Sequence, residues 1–352
     1  MELPIHPWAP LLLADPSPCL RMLVLRELLG RPADDGEVTE LAGLREGDPM
    51  VAGLLELQEA DGSWQQTDPS VAGTSGHGEA YVPTGRALTR LGYLGFGPEH
   101  PAVQGGAEYL FSQQQSDGSW PLPRRGVDGE RTPGYSMVPL QTALPLRGLA
   151  ACGYATDARA ERAYEWLLAQ RLPDGAWPTG LASGVHGGVA GYRRLAHSRW
   201  GCRSNTTGAL ICLALHPQQR SSPEARRALD LLLGRETRET HVLGYEVARM
   251  AGFEPAHGFL TYYARFDLAM ILDLCWRTGA PLADERVADL VNFVRGLQGP
   301  YGLWECTLQP QAVRWLTFDL LHSLSRLEGH TDWLSLEPRT PFRPYPRRQR
   351  RY

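Results

Sequence analysis

The sequence predicts an all-α protein made of repeated helical hairpins, and three observations predict it. A short Gln–Gly–Trp motif recurs along the chain, an amphipathic helical segment ends at each copy, and a more apolar segment follows each copy after a loop. Gln58 to Trp64 reads Gln-Glu-Ala-Asp-Gly-Ser-Trp, and Gln114 to Trp120 reads Gln-Gln-Ser-Asp-Gly-Ser-Trp. The motif returns at Gln170 to Trp177 with one extra residue and at Gln298 to Trp304 with the first spacing. Successive tryptophans lie 56, 57 and 127 residues apart. The last step is about twice the others, which places a degenerate copy near Arg235 to Tyr245.

The elements can be justified in chain order. An apolar helix is predicted over about Pro18–Leu29, ahead of the first copy. Others follow the copies at about Thr84–Leu94, Val138–Ala151, Thr206–Leu215, Phe266–Trp276 and Leu316–Leu327. These helices are apolar around most of their circumference, so they are predicted to form an inner ring, with the more polar helices outside. The outer helices carry apolar residues at helical spacing, as at Ala163, Trp166 and Leu167 or Leu229, Leu232 and Leu233. Gly62, Gly118, Gly175 and Gly302 then supply the backbone freedom that stops a helix. In the motif itself, an indole covers a large apolar area while its N–H still requires a partner. The glutamine amide can bond free backbone groups at the preceding helix end or stack beside the ring. The motif therefore reads as a staple between hairpins, structural rather than catalytic.

Composition bounds the function classes. At 43% hydrophobic and 21% charged residues, 352 residues contain ample material for a large buried core. With a net charge of -4, nothing global argues for nucleic acid or an acidic membrane surface as a partner, and no run of about 18 apolar residues suggests a membrane span. All 35 basic residues are arginine; with 38 Gly and 28 Pro this reads as the coding bias of a GC-rich genome. Six scattered cysteines form no Cys-x-x-Cys pair and suit a reducing compartment. Glu2 and early prolines stand where a secretory leader needs a basic start, so the expected location is the cytoplasm. Residues 1–330 are expected to form one domain. Residues 331–352, with six Arg between Arg339 and Tyr352 and prolines at 341, 344 and 346, are expected to be an extended, mostly unfolded tail.

The four motif copies resemble the QW motifs of squalene–hopene and oxidosqualene cyclases, whose hairpin ring is shared by the β subunits of protein prenyltransferases. Asp15-Pro-Ser-Pro-Cys-Leu-Arg-Met-Leu, Gly201-Cys-Arg-Ser-Asn205 and Arg314-Trp-Leu-Thr317 further resemble bacterial single-domain prenyltransferase and squalene oxidase repeat proteins. The resemblance covers about Pro16 to Leu327. It implies an (α/α)6-type toroid of about six hairpins, with a central cavity at the N-terminal ends of the inner helices and the loops before them.

A cyclase of this kind uses an Asp-x-Asp-Asp acid, which this chain lacks. Asp267 is the best-placed carboxylate at a predicted inner-helix start, preceded by Tyr262, Tyr263 and Phe266, with Arg265 nearby; Asp319 lies about one turn into the last inner helix. Asp267 reads either as a helix cap or as a cavity acid. The prenyltransferase zinc pattern is approached by Asp273-Leu-Cys275 and His322, but these stand at the wrong end of their helices, so no metal or other cofactor is expected. His77 and Glu79, in the loop Thr67 to Tyr81, form an alternative acid–base pair. Tyr263, Trp200, Trp315 and Tyr135 are candidate substrate-binding aromatics. Arg199, in the long loop from Pro178 to Asn205 that also holds His186, His197 and Cys202, is a candidate anion contact. The expected partner is an isoprenoid or other apolar small molecule, either cyclised or transferred, or held without catalysis by a lipid- or protein-binding toroid. A carbohydrate-active barrel would need paired carboxylates across its cavity, and the sequence displays no convincing pair.

Overall fold

The first inner helix starts where the sequence supplies both a cap and a proline: Ser17 accepts from the Leu20 amide and Pro18 takes the first helical position. The same device recurs around the chain, with Asp48 before Pro49, His100 before Pro101 and Ser222 before Pro223. The computed structural model describes residues 8–65, 81–120, 123–125, 131–133, 138–179, 194–234, 241–253, 266–299, 301–306, 309–327 and 344–345. The α-helices among them are α1 (Ala9–Leu13), α2 (Pro18–Leu23), α3 (Gly36–Leu44), α4 (Pro49–Leu55), α5 (Tyr81–Tyr93), α6 (Pro101–Ser112) and α7 (Val138–Ala151). There follow α8 (Ala158–Ala169), α9 (Arg203–Leu215), α10 (Pro223–Leu233), α11 (Tyr245–Met250), α12 (Leu268–Arg277), α13 (Glu285–Arg295) and α14 (Val313–Leu327). A π-helical turn, Val24–Leu28, extends α2, and a short antiparallel pair joins β1 (Pro123–Arg125) to β2 (Arg131–Pro133).

The inner ring is α2, α5, α7, α9, α12 and α14, and the predicted inner helices are all present. Three of them begin about one turn earlier than hydrophobicity suggested. In α9, Arg203, Ser204 and Asn205 are polar yet buried, so the apolar pattern undercounts the helix. Neighbouring inner helices pack along the ring, α5 on α7, α7 on α9, α9 on α12 and α12 on α14, and α14 returns to the turn after α2. Ion pairs lock this closure: Arg314 to Asp15 at 3.3 Å and Arg326 to Glu27 at 3.1 Å, between residues 299 apart in sequence. Helices α5 and α7 meet almost backbone to backbone. A side chain at Gly85 would strike Pro145, and one at Gly148 would strike the Gly85 carbonyl.

The repeated motif works as a staple, with more parts than the sequence disclosed. Each indole N–H donates to a carbonyl of its own outer helix: Trp64 to Leu54, Trp120 to Leu110, Trp177 to Leu167 and Trp304 to Val294, all at 2.7–2.8 Å. Gln58 and Gln114 each donate to the motif glycine carbonyl and to the start of the next outer helix, at Ala102 and Arg159 respectively. At Gly62 and Gly118 the backbone is left-handed, and a Cβ would collide with the Gly105 and Arg162 carbonyls, so both conformation and close approach require glycine. Each tryptophan amide then donates to a buried threonine of the next inner helix, Thr84, Thr142, Thr206 or Thr317.

Residues 235–240, at the expected degenerate copy, lie outside the described residues. Near this position a buried charge cluster joins the outer helices α10 and α13. Arg286 forms ion pairs with Asp230 and with Asp284, the latter at 2.8 Å. After this point the chain does something the repeat did not predict. It pairs β3 (His241–Val242) in parallel with β4 (Phe266–Asp267), and between these strands it inserts α11. This short helix touches α5, α12 and α14 and is ion-paired to α7 through Glu246 and Arg147, so it fills the middle of the ring. The C-terminal segment, expected to be mostly unfolded, is docked at its described residues. Tyr345 is buried, stacks on Phe293 at 4.4 Å and donates its amide to Asp289, because an aromatic ring on an apolar helix face outweighs the surrounding arginines and prolines.

Candidate functional site

The inner helices give the ring two unlike ends. At the starting end, Asp267 is fully surrounded by protein, and both of its oxygens accept backbone amides. Oδ1 takes Gly244 and Ala269 at 3.0 and 3.1 Å, and Oδ2 takes Glu246 at 2.8 Å. One carboxylate thus caps two helices, its own α12 and, across the β3–β4 pair, α11, whose own cap position is Gly244 and carries no side chain. Burial pushes its pKa up to about 6, against the three amide bonds that favour the charged form. Capping is the role the described geometry gives it.

At the opposite end, the C-terminal turns of the inner helices surround a cavity of about 570 Å³. Tyr93 of α5, Ala151 of α7, Leu215 of α9 and Trp276 of α12 line it, α14 adds Phe318, Asp319 and His322, and Glu246, Val247 and Met250 of α11 close it from inside the ring. Its charges are sorted into pairs. Arg147 meets Glu246 at 3.1 Å, Arg277 meets Asp273 at 2.8 Å, and Arg326 meets Glu27 at 3.1 Å. Asp319 stands apart, its carboxylate accepting the Tyr93 hydroxyl at 3.3 Å with no ion-pair partner among the described residues. Burial first, and then the charge of Asp273, push Asp319 up to about 7, so near neutrality it is divided between acid and carboxylate. Burial also drives the Tyr93 phenol well above its ordinary value, which keeps it a donor. An acid facing a cavity walled partly by Tyr93, Trp276 and Phe318 can hold a proton or a positive charge.

A family model, the squalene-hopene cyclase C-terminal domain, matches residues 48–192 and 80–277, which together span more than half of the chain. The chain belongs to this family. Within it, the squalene–hopene cyclase of Zymomonas mobilis is 28% identical over 173 residues, a match covering 45% of this chain and 23% of that enzyme. The chain therefore matches less than a quarter of that relative's length. Among solved structures, the type II terpene cyclase MstE from Scytonema, as a variant in complex with geranylgeranyl dihydroxybenzoate, is 16% identical over 79% of this chain and 95% of that one, with a TM-score of 0.35. A protein from Actinoplanes is 16% identical over 82% of this chain and 100% of its own, with a TM-score of 0.32.

This cyclase-family chain distributes the sequence-predicted residues unevenly. Glu79, His77, Tyr135 and Tyr263 lie outside the described residues. Trp200 and Arg199, expected at the cavity, form an exposed cation–π pair at 5.0 Å instead. The segment before α9 folds back on the third motif, with Arg194 bridged to Cys202 and the Cys202 amide bonded to the Trp177 carbonyl, which leaves Trp200 at its outer tip. Trp315 is buried behind the cavity wall, 5.8 Å from the Tyr93 ring. The zinc-like trio does not converge on a metal. Asp273 is held by Arg277 and Trp276, the deeply buried Cys275 has its thiol pKa pushed up, and His322 faces Glu27. Among the described residues, no group of three or more His, Cys, Asp or Glu could hold a metal ion, and no helix is long and apolar enough to cross a membrane. The described cavity opens at the end of the ring opposite to the one expected. Asp319 and Tyr93 face it as a hydrogen-bonded pair, and the only sequence signal for them was a carboxylate one turn inside an inner helix.

Proposed function

We propose that this chain is a terpenoid cyclase-like protein that takes up an isoprenoid in the cavity bounded by the inner helices, with Asp319 as its candidate acid. The observation that supports this reading most is a carboxyl held near neutral pKa on the wall of a partly aromatic cavity, in a chain of the squalene-hopene cyclase C-terminal domain family. Asp319 would deliver its proton to the bound substrate, Tyr93 would steady the carboxylate left behind, and the rings of Trp276 and Phe318 would favour the positive charge formed. Asp267, with its oxygens committed to three amides, would hold α11 in place beneath that chemistry.

The test is incubation of the purified protein with a panel from geranyl diphosphate to squalene, followed by product analysis. Turnover of at least one isoprenoid that is lost in Asp319→Asn, with uptake retained, is the expected result. Turnover that survives Asp319→Asn would remove Asp319 from the reaction. The second reading, a toroid that binds an isoprenoid without converting it, is favoured by the absence of an Asp-x-Asp-Asp sequence. Retained ligand with no product over hours would select it.

A further inference from the structure

The same cavity has a polar character that an isoprenoid chain does not use. Its three arginines nearest the acids are spent on Glu246, Asp273 and Glu27, and the His322 ring nitrogen beside them faces Glu27 at 3.6 Å, which leaves Asp319 and one oxygen of Glu246 as the acceptors in question. Among the described residues, Asp319 has only the Tyr93 hydroxyl as a hydrogen-bond partner. Glu246 is 3% exposed, and while its Oε2 bonds Arg147, its Oε1 has no hydrogen-bond partner among the described residues; the Arg249 Nε forms an ion pair with it at 3.8 Å, longer than a hydrogen bond. A buried acceptor left without a donor is costly, and a ligand that brings one recovers that cost.

The backbone adds to this bias. Helices α5, α7, α9 and α12 all direct their C-terminal ends at the cavity, and each end carries roughly half an elementary negative charge. Three of these helices finish in left-handed glycines, Gly95, Gly153 and Gly279, so the chain turns away immediately and leaves the helix ends at the cavity. The remaining arginine of the lining, Arg220, is exposed and lies beyond the end of α9. Anions are thus opposed by the helix ends and by the ionised carboxylates, and cations are favoured.

We propose that this cavity binds the protonated amine end of an amphiphilic molecule, with Asp319 as counter-ion and Glu246 Oε1 as second acceptor, its apolar part lying against Val247, Met250 and Phe318. The ammonium group supplies the donors that both oxygens lack and matches the sign of the helix ends. The site uses the cavity of the preceding reading without requiring that an isoprenoid be its substrate. Where both ligands bind, the carboxyl that would act as an acid toward a neutral isoprenoid becomes the counter-ion of the amine, and the two compete.

The experiment is calorimetric titration of the full chain at about pH 8, where alkylamines remain charged, with octylamine, octanol and octyl phosphate as matched probes and geranylgeraniol as a separate arm. Octylamine is expected to bind about ten-fold or more tightly than octanol, the scale of one charged hydrogen bond. That preference should vanish in Asp319→Asn, a near-isosteric change, while Arg220→Ala leaves it intact. Equal binding of amine and alcohol, tightest binding of the phosphate, no binding of any octyl probe, or a preference that survives Asp319→Asn would each overturn the proposal. Geranylgeraniol binding without amine preference leaves the isoprenoid reading standing and this one fallen; amine preference without geranylgeraniol binding does the reverse.

Discussion

The two ends of the inner ring use the same kinds of side chain for different ends. At the starting end, polar groups are spent on the backbone: Thr84, Thr142, Thr206 and Thr317 each accept a tryptophan amide, and Asp267 accepts three amides from two helices. At the finishing end, the helices close in glycine turns, and Asp319, Tyr93, Glu246 and the arginines paired to the other acids line a cavity. A carboxylate at a helix start is drawn into capping because unpaired amides lie within its reach. One placed further along its helix is not, and becomes available for a ligand. Burial alone does not separate the two acids, since it raises both pKa values.

Substitution can break this contrast, and the largest effect is expected at Asp267. Asp267→Ala would strand three amides and release α11 from α12, so denaturant unfolding should show a loss of about 2–4 kcal/mol. Asp319→Asn should cost far less; a loss equal to that of Asp267→Ala would erase the distinction between the ends. Next in size is Thr206→Val, which keeps the shape but removes the acceptor of the Trp177 amide. A loss of about 1–2 kcal/mol is expected by the same measurement, and no loss would show that this threonine is not part of the staple.

The smallest effect is a change of slope with pH. The folded-state pKa of Asp319, about 7, lies above its ordinary value of 3.8, so between these values the folded chain binds more protons than the unfolded one. Its contribution to stability is full below about pH 4 and is lost as pH rises through about 7. Asp267, raised to about 6, acts with the same sign. Melting temperatures should therefore decline from pH 5 to pH 8, and Asp319→Asn should flatten part of that decline; a steeper decline in the variant would contradict the assignment.

Much of the scaffold was legible because it repeats. Gln58, Gly62 and Trp64 recur at near-fixed spacing, since a helix end, a left-handed turn and an indole seated on the preceding helix must keep a constant geometry. The threonines that complete the staple escaped notice because they lie 20, 22, 29 and 13 residues after their tryptophans, separated by loops of variable length. Helix α11 was hidden for a related reason. It is only six residues long, it belongs to no repeat, and it lies in the hairpin whose motif has degenerated.

The sequence by itself determined the hairpin ring, the order of inner and outer helices, and the structural meaning of its motif, because periodicity and turn chemistry are local properties of the chain. Tertiary structure decided the roles open to Asp267 and Asp319. Those roles depend on which amides, rings and helix ends surround each carboxylate, and these come from segments distant in sequence: α11 and β3 around Asp267, Tyr93 of α5 beside Asp319. A carboxylate's chemistry follows from the groups around it, and the fold alone brings those groups together.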